Sequence, residues 1–220
     1  MRTVAAARMR EIDRLAREKF GIPELILMEH AGKAAAEAAR RFYRKGHGVR
    51  VVVLSGGGAN GGDGFVAARH LDNWGVPVRV VLLAIRAKIQ GASRINFEIL
   101  RKMGVPVNDA ASLSGWERLA VRLKPAVVVD AMLGTGVSGA VREPVASAIR
   151  WTNRQRCPVV AVDVPSGLSS DTGEPCGEAV KATATVTFGL PKRGLLRGRG
   201  RELSGKVSIA DISLPKELTR

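Results

Sequence analysis

The spacing of hydrophobic residues predicts two helices before residue 49. Apolar residues between positions 3 and 20 recur at three- and four-residue intervals, which is typical of an amphipathic helix: Met9, Ile12, Leu15, Ala16 and Phe20. Gly21 and Pro23 end that segment, and proline suits the first turn of a second helix. Its predicted inward positions are Leu25, Leu27, Met28, Ala31 and Ala35. Lys45 and Gly46 would supply a basic last turn and a glycine stop.

From residue 49 the pattern predicts alternating strands and helices. The β-branched runs lie at 50–54, 78–83, 126–129 and 159–164, and helical segments lie near 62–74, 92–103, 113–123 and 144–155. Two later stretches, ATVTFG and KVSIADI, are predicted to extend or edge the sheet. Strands that are apolar on both faces and separated by helices indicate a parallel sheet covered on both sides. The predicted fold is therefore α/β, a Rossmann-like three-layer αβα sandwich with a mostly parallel central sheet.

Composition fits one domain over residues 1–220. The chain has 220 residues and 45% hydrophobic content, enough for one core, and no apolar run approaches the roughly 20 residues that cross a bilayer. The Arg-rich N-terminus carries three acidic residues, Glu11, Asp13 and Glu18, which argue against a transit peptide and for a cytoplasmic protein. Two cysteines, Cys157 and Cys176, and three histidines indicate neither a disulfide framework nor a zinc site.

The charge balance raises nucleic acid as a partner. The net charge is +15, and Lys192, Arg193, Arg197, Arg199 and Arg201 form a local basic run. Aromatic residues make up only 4% of the chain and none lies in that run, so it lacks the stacking platforms of single-strand binding. A solvated basic face is the simpler interpretation, and nucleic acid is an unlikely partner.

The stretch SGGGANGGDGF, residues 55–65, is the first candidate site. Its Gly56-x-Gly58-x-x-Gly61 spacing follows a predicted strand and precedes a helix, as in dinucleotide-binding loops. Residues 77–88 contain no carboxylate that could hold a ribose, which argues against an ordinary NAD dehydrogenase. Small residues beside a helix N-terminus favour a phosphate, whereas Asp63 would repel one. The alternative is that Asp63 caps the helix and the glycines merely turn the chain.

Polar residues also follow two later strands, in DAMLGTG from Asp130 and in DVPSGL from Asp163. The carboxyl ends of parallel strands meet at one edge of a sheet, and ligands bind in the crevice beyond it. We therefore expect Asn60, Asp130, Asp163 and Ser166 to converge on one pocket.

Five ordered motifs carry a family resemblance. The glycine loop, DAMLGTGVSGAVREP, VVAVDVPSGLSSDTGE, ATVTFGLPKRGL and KVSIADISLP resemble those of the NAD(P)H-hydrate epimerase family, the YjeF amino-terminal domain. The resemblance runs from about Met9 to Pro215. It implies interconversion of the R and S epimers of NADHX and NADPHX, so that an ADP- or ATP-dependent S-specific dehydratase can restore the cofactor. We expect this chain to carry the epimerase without a fused kinase-like dehydratase domain. Its N-terminal helices could form a homodimer face, or they could pack within one subunit.

The resemblance also implies residue roles. The substrate would contact Asp163, Arg142 and two loops: Ala59, Asn60, Gly61, Gly62 and Asp63 in the first, and Gly134, Thr135, Gly136, Val137, Ser138, Gly139 and Ala140 in the second. One potassium ion per subunit would bind Asn60, Asp130 and Ser166, an oxygen-only set suited to an alkali cation. Asp163 would be the general acid and base. Ala59 departs from the family's asparagine, which removes one amide from the substrate loop.

Three alternatives stay open at this point. Ser166 as a nucleophile is disfavoured because no G-x-S-x-G elbow surrounds it. Arg142 could meet a substrate phosphate, or it could pair with Glu143 or another acid. The whole domain could instead be a non-catalytic module that binds RNA or a protein partner. We assign no catalytic role to His30, His47 or His70.

Overall fold

The computed structural model describes residues 3–44 and 50–219. The predicted stop at Lys45 and Gly46, and His47, lie outside these ranges. The first two helices form as the hydrophobic spacing predicts, α1 over Ala6–Glu18 and α2 over Glu24–Phe42. Gly21 between them has a φ of 66°, a conformation that favours glycine. Leu25 is 36% exposed, so its predicted inward position is wrong.

A seven-stranded sheet forms the centre of the molecule, and all its strands are parallel. Its strands are β1 Arg50–Ser55, β2 Val78–Leu82, β3 Val107–Asp109, β4 Pro125–Ala131, β5 Val159–Val162, β6 Ala184–Phe188 and β7 Lys206–Ala210. Their spatial order is β3-β2-β1-β4-β5-β6-β7. The predicted parallel sheet is confirmed. Strand β3 was not predicted, because its three residues include a single apolar one, Val107.

Six further helices connect or follow these strands. They are α3 Ala59–Asn73, α4 Gly91–Lys102, α5 Leu113–Ala120, α6 Val145–Asn153, α7 Gly200–Leu203 and α8 Lys216–Thr219. Helix α3 begins three residues earlier than predicted and includes the glycine-rich segment. The short helices α7 and α8 were not predicted, since four residues show no helical period.

Alternate residues of each strand face opposite cores, as the two-residue period of a strand requires. Val51 and Val53 of β1 pack with α1, α2, α3 and α4 on one side of the sheet. Val52 and Leu54 pack with α5 and α6 on the other. The Trp116 and Trp151 rings of that second layer meet edge to face at 5.4 Å. The three-layer αβα sandwich predicted from the sequence is thus confirmed.

The strand order creates a crevice at one edge. Chain connections run from β1 outward to β2 and β3, then return to the other side of β1 at β4. The loops after β1 and β4 therefore leave the carboxyl edge in opposite directions, which opens the ligand-binding position typical of doubly wound sheets. Within the described ranges, no helix has the length and apolar character needed to cross a membrane.

Candidate functional site

A cleft of about 950 Å³ lies over the carboxyl ends of the strands. Its border includes the glycine loop after β1, residues 134–145 after β4, and Asp163 after β5. Residues of α1 and α2, including Asp13 and Glu24, also line it, as does Lys192 after β6. The structure thus brings together segments that lie more than 100 residues apart in the chain.

Glycines at the cleft floor allow the loops after β1 and β4 to touch. A Cβ atom on Gly56 would lie 2.1 Å from the carbonyl oxygen of Met132, and one on Gly61 would lie 2.0 Å from that of Gly56. A Cβ on Gly134 would press on the Asn60 side chain at 3.3 Å. Close backbone approach, rather than turning alone, is the reason for these glycines.

Asp63 is not a helix cap. Gly58 occupies the N-cap position of α3, and Asp63 lies within the helix, where it is 8% exposed and borders the cleft. Burial, and secondarily the negative charge of Asp163, raises the pKa of Asp63 well above its ordinary value. The capping interpretation from the sequence is therefore wrong, and Asp63 is a cleft carboxyl.

Asn60, Asp130 and Ser166 meet beneath the loop after β4. The Ser166 hydroxyl donates to Asp130 Oδ1 at 2.5 Å, and the Ser166 backbone N–H donates to Asp130 Oδ2 at 2.8 Å. The Asn60 Nδ2 group donates to the Leu133 carbonyl at 2.9 Å, and the Leu133 N–H donates to the Ser166 hydroxyl at 2.9 Å. Of the four residues expected to converge on one pocket, Asn60 and Asp163 border the cleft, whereas Asp130 and Ser166 are fully buried beneath it and do not line it.

Asp130 lies on β4, the strand between β1 and β5, and its side chain is fully buried. Burial raises its pKa to about 6, although the hydrogen bonds from Ser166 and Met132 act in the opposite direction. A buried carboxylate of this kind is costly unless a positive charge or further donors are nearby.

The donor set fits an alkali cation. The Asn60 Oδ1 atom is buried and has no hydrogen-bond partner among the described residues, so a strong acceptor is left beside Asp130 and Ser166. Amide, hydroxyl, carboxylate and carbonyl oxygens are hard ligands. Within the described ranges, no three His, Cys, Asp or Glu side chains cluster as they do around transition metals.

Asp163 adopts a strained backbone that points its carboxyl group at two neighbouring segments. Its φ is 64°, which is rare for a residue with a Cβ atom. Its Oδ1 atom accepts hydrogen bonds from the Thr187 hydroxyl at 3.0 Å, the Phe188 N–H at 3.3 Å and Lys192 Nζ at 2.5 Å. None of the described residues donates to Oδ2, and Asp163 borders the cleft. The geometry leaves one carboxyl oxygen for a ligand.

Lys192 is a cleft residue that sequence reasoning missed. It was grouped with Arg193, Arg197, Arg199 and Arg201 as part of a basic run, but its side chain is 1% exposed whereas the four arginines are exposed. Its ammonium group also donates to the Phe188 carbonyl at 3.1 Å. The signal in the sequence was its place in LPKRGL, between Leu190, which is half-buried, and Leu195, which is buried, rather than its charge.

Two further acids on the border were not predicted. Asp13 lies on α1 and Glu24 begins α2, and both line the cleft. Burial raises the pKa of Asp13 to about 6, and the Lys192 charge limits that rise. With Asp63 and Asp163, these residues place four carboxyl groups on the border of the cleft, which Lys192 also lines.

The remaining predicted substrate residues fall into three groups. Ala59, Asn60, Gly61 and the whole segment from Gly134 to Ala140 border the cleft. Gly62 does not: a Cβ atom there would lie 2.5 Å from Ser93 Oγ and 2.6 Å from Met28 Sδ, so this glycine allows α3 to pack on α2 and α4. Arg142 is exposed at the border, and Glu143 pairs with Arg150 at 2.6 Å instead.

Comparison with known proteins adds to this geometry. The family described as YjeF-related protein N-terminus matches residues 24–194. The bifunctional NAD(P)H-hydrate repair enzyme Nnr of Moorella thermoacetica is 43% identical over 99% of this chain, which covers 42% of that protein. The NAD(P)H-hydrate epimerase of Rhodopirellula baltica is 36% identical over 97% of this chain and 85% of its own length. The chain thus spans about two fifths of the bifunctional relatives and most of the shorter one.

A solved structure has the same fold. The crystal structure of yeast ynu0, YNL200c, superposes with a TM-score of 0.82 and 26% sequence identity. The match covers 99% of this chain and 92% of the yeast chain. The likeness therefore extends from the N-terminal helices through the last strand.

Proposed function

The chain belongs to the YjeF-related protein N-terminus family, and we propose that it is an NAD(P)H-hydrate epimerase, an isomerase that interconverts the R and S epimers of NADHX and NADPHX. The relatives' names supply the substrate class, and the cleft supplies the chemistry. The observation that carries the proposal is the Asp163 carboxyl group, which lines the cleft and binds Lys192 through Oδ1 while no described residue donates to Oδ2.

Epimerisation needs proton transfer and no nucleophile from the protein. Protonation of the C6 hydroxyl lets water leave as the electron pair of the ring nitrogen forms an N1–C6 double bond, and water then adds to the other face of C6. The added water gives up one proton, so atoms and charge balance over the cycle. A positioned acid and base contributes typically about 10²–10⁴-fold to such a reaction. The position of Asp163 on the cleft border supports its assignment to proton transfer. Ser166 is bound to Asp130, which supports a structural role for the serine.

The charge distribution of the cleft suits the two ends of a dinucleotide. Asp13, Asp63 and Asp163 line the cleft, and those of them that are ionised would stabilise a cationic iminium. Lys88 and Arg142 line the cleft as well, together with the start of α3. Backbone N–H groups at a helix N-terminus and these cations favour a pyrophosphate. The hydrated ring would therefore lie toward Asp163 and the phosphates toward the glycine loop.

The proposal includes one potassium ion held by Asn60, Asp130 and Ser166. The Asn60 Oδ1 atom, which has no hydrogen-bond partner in the described part of the chain, and the buried Asp130 carboxyl support it. When bound, the cation would offset the Asp130 charge and join the loops after β1, β4 and β5. Its effect on Asp163 would be positional, since Ser166 lies three residues further along the same loop.

A dehydratase is the proposed functional partner. The bifunctional relatives are named as repair enzymes and are more than twice the length that this chain matches. An epimerase only converts one epimer into the other. A stereospecific second enzyme is needed to consume one of them. We propose that an ADP- or ATP-dependent dehydratase acts on the S epimer that this cleft produces.

A coupled assay tests the function. Mixed NADHX epimers are incubated with an S-specific dehydratase until the S form is exhausted, and the purified chain is then added. We expect the remaining R form to be consumed faster than its spontaneous rate, with NADH formed in equal amount. Consumption at the spontaneous rate, for both NADHX and NADPHX and in potassium buffer, would contradict the proposal. RNA binding without turnover would support the non-catalytic alternative.

A further inference from the structure

Helix α1 forms one wall of the cleft and is fastened to the segment that carries Lys192. The Val4 N–H donates to the Pro191 carbonyl at 3.0 Å, and the Arg193 N–H donates to the Val4 carbonyl at 3.0 Å. The first turn of α1 is held by the Asp171 carboxylate, which accepts from the Ala6 N–H at 2.7 Å. This helix is therefore part of the site rather than a peripheral addition.

One stripe of α1 borders the cleft. Met9, Asp13 and Arg17 are four residues apart and all line it, as the helical repeat requires of neighbours on one face. Met9 is buried in the core and Arg17 is exposed, so Asp13 lies between the closed and open ends of the stripe. Its neighbours along the helix, Glu11 and Glu18, instead bind Arg14 at the surface.

Charged groups from every adjoining element act on Asp13. The Lys192 ammonium and the Asp163 carboxyl lie on the two loops below it, Glu24 lies on α2, Asp63 lies on α3, and Arg17 lies one turn further on α1. Burial raises the Asp13 pKa to about 6, so the carboxyl can hold or release a proton near neutral pH. It has no hydrogen-bond partner among the described residues, and a solvated surface acid would not show that burial.

Inversion at one carbon sets a geometric demand that Asp163 alone does not meet. The hydroxyl leaves from one face of the ring and water returns to the opposite face. A carboxyl that protonates the group leaving one face is not within reach of water on the other. Two carboxyl groups on different walls of the cleft satisfy the demand.

We propose that Asp13 is a second catalytic residue, which handles the proton on the ring face opposite Asp163. This inference rests on the proposed epimerase function. In one direction Asp163 donates a proton to the departing hydroxyl, the C6–O bond breaks, and the nitrogen electron pair forms the N1–C6 double bond. Water then bonds to C6 on the far face and its proton goes to Asp13. The opposite direction reverses the two roles, and the proton returns between the carboxyl groups through water.

Isotope exchange separates this role from a structural one. Each pure epimer is incubated in H₂¹⁸O with one of three proteins: wild type, Asp13→Asn or Asp13→Glu. The epimers are then separated, and mass spectrometry measures the ¹⁸O in each. Glu18→Gln is the matched control, an exposed acid on the same helix outside the cleft. The Asp13→Asn variant keeps Asp163, so it can still release and return water on the Asp163 face.

We expect Asp13→Asn to lower R/S inversion about 10²–10⁴-fold while one epimer continues to exchange its hydroxyl oxygen with retention of configuration. Asp13→Glu should recover part of the inversion, which keeps the test decisive if the asparagine variant folds poorly. Inversion at the wild-type rate in Asp13→Asn, or loss of exchange and inversion together in a folded variant, overturns the inference. A wild type without any turnover overturns the proposed function itself, and the inference with it.

Discussion

The ammonium nitrogen of Lys192 lies 2.5 Å from Oδ1 of Asp163, in a place where the lysine side chain is 1% exposed and the aspartate side chain 14%. A buried ammonium is stable only with such partners. Because Lys192 also binds the Phe188 carbonyl, it ties the loop after β5 to the end of β6. The pair therefore restrains the orientation of the Asp163 carboxyl group on the cleft border.

Replacement of Lys192 by methionine should impair catalysis more than binding. The Asp163 carboxyl would keep its bonds from Thr187 and Phe188 but lose the donor that orients it. We expect kcat to fall about 10²-fold with a much smaller change in KM, and Lys192→Arg to recover part of kcat. Arg193→Met, at the exposed neighbouring position, is the control. A variant whose KM rises while kcat is unchanged would assign Lys192 to substrate binding instead.

Asp163→Asn should abolish epimerisation, and its effect on stability can be separated from its effect on activity. Breaking a buried ion pair leaves one charge unpaired, so each single variant should lose up to about 3 kcal/mol of unfolding free energy. The double variant Asp163→Asn/Lys192→Met removes both charges and should regain most of that loss while staying inactive. Urea unfolding and the coupled assay measure the two effects. Asp72→Asn, at an exposed position on α3, is the control. Activity in the double variant would show that Asp163 takes no part in the mechanism.

The sequence predicted the sheet and the convergence of strand ends because both follow from short-range patterns. Buried parallel strands are continuous apolar runs, and polar residues stand at or just beyond their ends: Asp130 is the last residue but one of β4, Asp163 directly follows β5, and Ser166 lies in the loop after it. The start of α3 was harder, since glycine is a poor helix former. Packing of Gly61 and Gly62 on neighbouring atoms overrides that propensity.

Lys192, Asp13 and Glu24 could not be placed from the sequence by the same reasoning. A segment with one lysine and four arginines has the composition of a protein surface. Only the return of the chain after β6 buries Lys192 beneath Asp163. Asp13 has the spacing of a cleft-facing residue, but spacing does not say which element its helix covers. That depends on the pairing of Val4 with the loop at Lys192, a contact across 188 residues.

Potassium should stabilise the protein more than other monovalent cations at equal ionic strength. A ligand at ten times its Kd adds about 1.4 kcal/mol to the unfolding free energy. Thermal melts in KCl, NaCl and choline chloride measure this without reference to activity. Asn60→Ala removes the unpartnered oxygen and should abolish the difference between the salts. Equal melting temperatures of the wild type in all three salts would argue against the ion.

Gly61→Ala should destabilise the protein more than Gly58→Ala, which changes only the N-cap residue of α3. A Cβ atom at Gly61 would lie 2.0 Å from the Gly56 carbonyl oxygen, and none of the described atoms lies within 4 Å of one at Gly58. Overpacking costs about 1–3 kcal/mol, although alanine has the better helix propensity by about 1 kcal/mol. Chemical unfolding of both variants gives the comparison. Equal stabilities would show that the loop after β1 can move away from its neighbours.

Asp13→Asn should stabilise the protein at neutral pH while it impairs the reaction. The folded pKa of about 6 lies above the ordinary value of 3.8, so the folded state binds this proton more tightly than the unfolded chain. Stability therefore falls as the pH rises from about 4 to about 6, and the cost persists above that range. Since one pKa unit is worth about 1.4 kcal/mol, the cost is at most about 3 kcal/mol. Asparagine carries no such charge. Unfolding free energies measured from pH 4 to pH 8 should therefore show the stability of the variant relative to wild type rising between about pH 4 and about pH 6. A difference that is constant with pH would mean that the Asp13 carboxylate is well solvated in the folded protein.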